Sequence, residues 1–154
     1  MDSAYELLMA NQAQQALMNP AWSDKSEFSS SNIVEMVFDP TLFRPLIANW
    51  VEVASHLLLR LKKQVLAYGK SEQSALFNKL LAKSPPKHWQ QPAESIEDGT
   101  MLTVDFKVGD LTLSMFTTIS QFVSALDLGM EELLIESYFP ANEDSQKFFA
   151  NILN

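Results

Sequence analysis

Two histidines are the first residues of this chain to consider for catalysis or metal binding. A Ser-His-acid site or a zinc site would need His56 or His88, and neither lies in a motif such as HExxH. His56 falls on the polar side of a predicted helix, and His88 lies in a proline-rich connection beside Trp89. The pattern therefore favours surface or hydrogen-bonded histidines over catalytic or zinc-ligating ones.

Three glutamates form the cluster that could support acid–base chemistry. Paired carboxylates can do this when burial separates their pKa values. Glu131 and Glu132 open a predicted strand, and we expect them to face water. Glu136 lies in the interior of that strand, where its partner could be Arg44 or Arg60. The sequence does not decide between the two.

The composition excludes several functional classes. The chain has no cysteine, which removes thiolate catalysis, cysteine-ligated zinc and disulfides. It has only four glycines and no phosphate-binding loop, so we predict no nucleotide cofactor, and indeed no cofactor or metal of any kind. With 11 Lys and Arg against 19 Asp and Glu, the net charge is -8, and these residues are not expected to bind DNA.

The apolar segments are too short to span a membrane, so we predict no membrane partner. The run at residues 57–59 falls far below the ~20 residues that a membrane-spanning helix requires. The first residues also lack the pattern of a secretory signal. Together with the absence of cysteine, this fits a cytoplasmic protein. The length of 154 residues is that of a single domain.

Helical periodicity is strongest in the middle of the chain. Apolar residues recur at helical spacing from Trp50 to Tyr68, and Gly69 is placed to end this long amphipathic helix. A second helix is predicted over residues 71–83. These two helices supply the largest apolar helical surface of the chain.

The first forty residues give weaker signals. Residues 5–11 are interpreted as a strand, residues 12–18 as a short helix, and the serine-rich residues 19–31 as a loop. Residues 32–38 are predicted to form a brief helix that stops at Asp39-Pro40, because the residue before a proline is pushed out of the helical region.

After residue 92 the apolar period changes from 3.6 to 2. Residues 101–108 and 111–119 alternate as two strands joined at Gly109-Asp110, and residues 133–139 form a third. Asn142 then caps a last helix. The fold class predicted from this order is α+β, with helices covering an antiparallel sheet.

A pocket between the long helix and the sheet is the remaining candidate site. The large apolar residues there could line a cavity as well as fill a core. Met115 and Phe116 are consecutive in a strand, so they point to opposite faces, and the sequence does not tell which face is inside. The candidate ligand-binding residues are Phe38, Trp50, Leu57, Leu61, Phe106, Met115 and Phe116.

Three segments resemble one known family. Residues 32–40 (NIVEMVFDP), followed by Asn49-Trp50 at the start of a long helix, resemble the "N-x-x-x-x-x-F-D-P … W" segment in the ligand-binding domain of MmyB-like transcription regulators. Residues 113–122 (LSMFTTISQF) and 127–143 (DLGMEELLIESYFPANE) are similar to the proteobacterial branch of that family. The similarity runs from about Tyr5 to Glu143.

The resemblance implies a fold, a role and a set of partners. It implies a PAS-like antiparallel sheet with helices around a small-molecule cavity, and no catalysis. In the family this domain follows an N-terminal helix-turn-helix, so we expect such a domain to precede residues 1–154 in the whole regulator and to make the DNA contact. The implied effector is a fatty acid or a similar amphipathic molecule, and we expect a homodimer.

Another function is left open by the sequence. The alternative is a stand-alone lipid or ligand carrier, or a small non-metal enzyme.

The sensing hypothesis predicts which part of the chain responds to ligand. For a sensor, a ligand must favour one of two states, so the pocket must border a segment that moves. We expect the response in residues 19–38, while residues 101–140 stay fixed.

Overall fold

The computed structural model describes residues 1–2, 4–11, 14, 32–91, 103–122 and 133–152. The helices within these ranges are α1 (Ile33–Phe38), α2 (Trp50–Tyr68), α3 (Ser71–Leu81) and α4 (Glu143–Ile152), with a short 3₁₀ helix at Arg44–Leu46. The strands are β1 (Thr103–Val108), β2 (Leu111–Phe122) and β3 (Leu133–Pro140), and they form one antiparallel sheet in the order β1-β2-β3. The predicted α+β fold, an antiparallel sheet with helices packed against it, is confirmed.

Helix α2 packs against both the other helices and the sheet. It ends at Gly69, whose φ of +61° is a left-handed conformation that glycine adopts without steric cost. Leu58 and Leu61 on one side are fully buried in a core shared with Leu80 of α3. Tyr68, which the periodicity places on the apolar face, is 72% exposed because the packed part of the helix ends before it. None of the described helices has the length and hydrophobicity needed to span a bilayer.

Helix α1 is short and entirely buried. Its N-cap Asn32 accepts hydrogen bonds from the N–H groups of Val34 and Glu35, each at 3.1 Å, which satisfies two donors that the helix itself leaves free. The helix stops at Phe38, before Asp39-Pro40, as predicted. This buried turn and a half lies between the α2–α3 pair and the N-terminal segment.

The pairing of the strands shows which face of the sheet is inside. Residues directly opposite in an antiparallel pair share a face. Val104 is opposite Met115, and Ile119 is opposite Glu136. Met115 is fully buried, and Val104 and Ile119 pack against the core. Met115 therefore belongs to the inner face, and Phe116 belongs to the outer one.

The predicted hairpin, third strand and final helix are confirmed. The prediction of a strand at residues 5–11 is wrong. In residues 5–11 only Glu6 pairs, in an isolated bridge with Asn32. Tyr5 has a φ of +68° and its N–H donates to the carbonyl of Asp2, so the backbone turns where the prediction needs it extended. Apart from Gln14, the helix predicted at 12–18 lies outside the described residues, as do the loop at 19–31, Glu131 and Glu132.

Candidate ligand-binding site

A cavity of about 90 Å³ lies between α2 and the inner face of the sheet. It is larger than the roughly 10–15 Å³ that one water needs and smaller than the roughly 300–1,000 Å³ of pockets that enclose drug-sized ligands. In this conformation it has room for a small group and not for a whole drug-sized ligand. The N-terminal segment, α1, the 3₁₀ helix, α2 and all three strands contribute to its wall.

Most of the wall is apolar. Val34 and Val37 of α1 line it from one side, and Phe106 and Ile119 of the sheet line it from the other. The ring of Phe43 packs edge-on against Phe106, with 6.2 Å between ring centroids. The remaining apolar lining residues are Met1, Ile33, Leu46, Ile47, Val53, Leu57 and Val104.

Polar side chains also line the cavity, and Arg60 of α2 is the only lysine or arginine among the described lining residues. Its guanidinium faces the ring of Tyr5, 5.3 Å from the centroid. The Tyr5 hydroxyl donates a hydrogen bond to Oε1 of Gln64, at 2.9 Å. Tyr5 is 2% exposed and has a φ of +68°, a conformation that a bulky residue keeps only when its surroundings enforce it. Strain of this kind gathers at functional sites.

Glu136 and Tyr138 enter the same cavity from β3. The two side chains are alternate residues of the strand, so they share its inner face. Burial raises the pKa of Glu136, and the interaction with the Tyr138 hydroxyl and the positive charge of Arg60 offset part of that rise. Burial and the adjacent carboxylate raise the pKa of Tyr138.

His56 also lines the cavity, one helical turn before Arg60. Burial lowers the pKa of its imidazole, and the positive charges of Arg60 and Lys63 lower it further. The histidine is therefore held in its neutral form near neutral pH, as a hydrogen-bonding group and not as a second cation. No group of three or more metal-binding side chains occurs in the described part of the chain.

The structure brings two of the seven candidate residues to the cavity wall, Leu57 and Phe106. Phe38, Leu61 and Met115 are almost fully buried elsewhere. Phe116 lies on the outer face of the sheet, stacked on Phe139 with centroids 5.2 Å apart. Ligand contact by any of the seven stays a prediction.

The remaining candidate, Trp50, fixes the position of α1 relative to α2. Its ring packs edge-on against Phe38, with centroids 5.9 Å apart, and its Nε1 donates to the carbonyl of Val37 at 2.9 Å. The guanidinium of Arg44 lies over the Trp50 ring, 3.8 Å from its centroid. Arg44 is thereby engaged away from the cavity, and the basic group near Glu136 is Arg60.

The sequence pattern does not group the polar lining residues into one site. It places Tyr5 at the start of a predicted strand and Tyr138 within the predicted strand at 133–139. One local signal exists: His56, Leu57 and Arg60 occupy i, i+1 and i+4, so a cavity that reaches Leu57 can also reach the other two. The approach of Tyr5 to Arg60 depends on the tertiary fold and has no local signal.

The comparison with family models covers nearly the whole chain. A model described as the MmyB-like transcription regulator ligand binding domain matches residues 1–151. No curated protein and no solved structure matches the chain.

Proposed function

The chain belongs to the family of MmyB-like transcription regulator ligand-binding domains, and on that premise we propose that it is the effector-sensing domain of a bacterial regulator. The single observation that supports this role is the cavity between α2 and the sheet, which joins an apolar wall to a polar end. A cavity of this composition recognises an amphipathic molecule through burial of its chain and hydrogen bonding of its head. The domain needs no catalytic step for this role.

The proposed effector is a fatty acid or a related amphipathic carboxylate. Arg60 is the group suited to bind the head, because guanidinium and carboxylate form charge-assisted hydrogen bonds. The chain would lie against Leu57, Phe106 and Ile119. The cavity volume favours a short chain unless the wall moves apart, so binding should depend on chain length.

Calorimetric titration with hexanoate, octanoate and decanoate tests this proposal. We expect saturable binding, weakened about 10- to 100-fold in Arg60→Met, because a hydrogen bond to a charged group contributes about 1.5–3 kcal/mol. Lys63→Met removes an equal charge from an exposed position on the same helix and should bind like the wild type. Absence of binding to all three acids would contradict the fatty-acid proposal, and equal losses in both variants would contradict the role of Arg60.

The regulator is proposed to act in the cytoplasm as a homodimer, with DNA bound by a helix-turn-helix domain of the same protein. Leu133, Ile135 and Phe139 support a dimer, since all three lie on the outer face of β3 and are 42–45% exposed. In light scattering, Ile135→Ser should favour the monomer. Leu66→Ser, at an exposed apolar position on α2, should leave the dimer unchanged.

A reading frame that lacks the helix-turn-helix would favour a stand-alone carrier or small enzyme.

Helix α1 is the proposed output of the sensor. Ile33, Val34 and Val37 line the cavity, so a ligand would contact the helix directly. Residues 19–31, which precede it, lie outside the described residues, and their ordering by ligand stays a prediction. Hydrogen exchange with octanoate should show protection in residues 19–38. Protection confined to 103–140 would indicate another route.

A further inference from the structure

Two groups of opposite charge line the cavity without pairing. Arg60 projects from α2 and Glu136 from β3, and both contribute to the wall. Among the described residues, the ion pairs join Glu35 to Lys79 and Lys83, and Glu143 to Lys147; none involves Arg60 or Glu136. Arg60 faces the ring of Tyr5, and Glu136 interacts with Tyr138. Among the described residues, the guanidinium therefore has no carboxylate in ion-pair contact.

Among the described residues, the Met1 amino group adds a second positive charge near Glu136. Opposite it on β2 is Ile119, and α1 presents apolar side chains to the cavity. Within the described ranges, the other titratable or charged groups that face the cavity are Tyr5 and the Met1 amino group from the N-terminal segment, His56 and Arg60 from α2, and Tyr138 from β3. Burial raises the pKa of both tyrosines, and His56 is held neutral.

A ligand carboxylate changes this balance. Bound at Arg60, it would bring a second negative charge into about 90 Å³ that already contains the Glu136 carboxylate. Two carboxylates that share a small buried space do not both remain ionised, and one takes up a proton. Glu136, already shifted toward its protonated form by burial, is the group to take it. Its O–H can then donate to a ligand oxygen.

We propose that this cavity binds a monocarboxylate together with one proton, with Arg60 as the anion anchor and Glu136 as the proton acceptor. This inference rests on the proposed function and adds the charge selectivity of the site. The incoming charges, one negative and one positive, cancel, so the cavity carries the same net charge before and after binding. A molecule with two carboxylates is disfavoured, because the described lining residues provide one guanidinium for the anion and Glu136 takes up one proton.

Octanoate calorimetry in two buffers of different ionisation enthalpy measures the proton directly. Near neutral pH, where a simple carboxylic acid is already ionised, we expect uptake of up to about one proton per octanoate. The Kd for octanoate should rise with pH, by at most about tenfold per unit. Octanol, which has the same chain and no charge, should bind without proton uptake.

Glu136→Gln removes the proton acceptor and keeps the shape of the side chain. In this variant, octanoate should bind without proton uptake and with an affinity that no longer depends on pH. At about pH 8 its binding should be tighter than that of the wild type, since the competing negative charge is gone. Glu143→Gln, at an exposed position on α4, should behave like the wild type.

The outcomes separate this inference from the function on which it rests. Wild-type binding without proton uptake, or uptake that persists in Glu136→Gln, would overturn the inference and leave the effector-binding role intact. Absence of octanoate binding to the wild type at about pH 6 would overturn the inference and contradict the fatty-acid proposal as well. If the variant does not fold, the two-buffer measurement on the wild type decides, because it needs no substitution.

Discussion

The two sides of α2 differ in how closely their side chains pack and in whether their buried charged groups form ion pairs. On the side facing α1 and α3, Leu58 and Leu80 are fully buried, and the buried Glu35 carboxylate has Lys79 at 2.7 Å and Lys83 at 3.9 Å. On the side facing the sheet there is a cavity of about 90 Å³, and no lysine or arginine in the described part of the chain is in ion-pair contact with Glu136. We call these sides the helical core and the cavity side.

This difference separates stability from ligand binding. Close packing and paired charges stabilise a fold, whereas empty volume and unpaired charges reduce its stability unless a ligand supplies what is absent. A ligand that binds only the folded state then stabilises the protein in proportion to its concentration and affinity. The two sides should therefore respond differently to substitution, although they belong to one helix.

The largest effect is expected from Leu58→Ala in the helical core. Removing a fully buried leucine side chain should lower the free energy of unfolding by about 3 kcal/mol, through lost burial and the cavity left behind. Urea denaturation measures this loss, and calorimetry should give an unchanged Kd for octanoate because Leu58 does not line the cavity. A variant that is as stable as the wild type, or that binds octanoate differently, would break the proposed separation.

A filled cavity should give the opposite result. Leu57→Phe adds volume at the cavity wall, so octanoate affinity should fall at least about tenfold while the free energy of unfolding changes by less than about 1 kcal/mol. Leu66→Phe on the same helix is the control, since Leu66 is 77% exposed. Unchanged octanoate binding in Leu57→Phe would place the ligand outside this cavity.

The helical core contains one charge pair that can be tested by itself. In the described part of the chain, Lys79→Met leaves Lys83, at 3.9 Å, as the remaining cation in ion-pair range of the Glu35 carboxylate. Because the Lys79 side chain is 57% exposed and solvent screens the pair, we expect a loss of only about 1 kcal/mol. Lys147→Met breaks a fully surface pair with Glu143 and should cost about 0.3 kcal/mol. Equal losses in the two variants would show that Glu35 does not depend on its partner.

The sequence predicts the elements of this fold far better than it predicts the cavity. The helix from Trp50 to Tyr68 and the hairpin at Gly109 follow from local periodicity and turn chemistry, which neighbouring residues determine. The same local patterns explain why Trp50 was predicted to bind ligand: a large apolar residue looks the same whether it lines a cavity or packs on Phe38. Only the tertiary arrangement distinguishes these cases.

The polar end of the cavity escaped prediction for a related reason. Arg60, Tyr5 and Glu136 come from three distant parts of the chain. The sequence does suggest that Glu136 has a basic partner, but Arg44 and Arg60 are equally plausible until Arg44 is found over Trp50. The strained backbone of Tyr5 is likewise a consequence of packing, since nothing in the residues around it demands a positive φ.

The smallest effect, and the most specific to the cavity side, is the pH dependence of the ligand-free protein. The folded state raises the pKa of Glu136 above that of the unfolded chain, so it binds the proton more tightly. The stability contributed in this way is present below the unfolded pKa and is lost as pH rises through the folded pKa. The Glu136→Gln variant has no carboxyl group at this position, so it does not lose this stability as pH rises. From about pH 4 to pH 8, the wild type should therefore become less stable relative to the variant.

Urea denaturation of both proteins across this pH range gives the difference directly. His56 works in the other direction, because its lowered pKa makes the folded state lose stability as pH falls, but it is present in both proteins and largely cancels in the difference. Glu143→Gln, at an exposed carboxylate, should follow the wild type. A difference between wild type and Glu136→Gln that stays constant with pH would mean that Glu136 is as well matched to its surroundings as Glu35, and the two sides of α2 would then not differ in their charges.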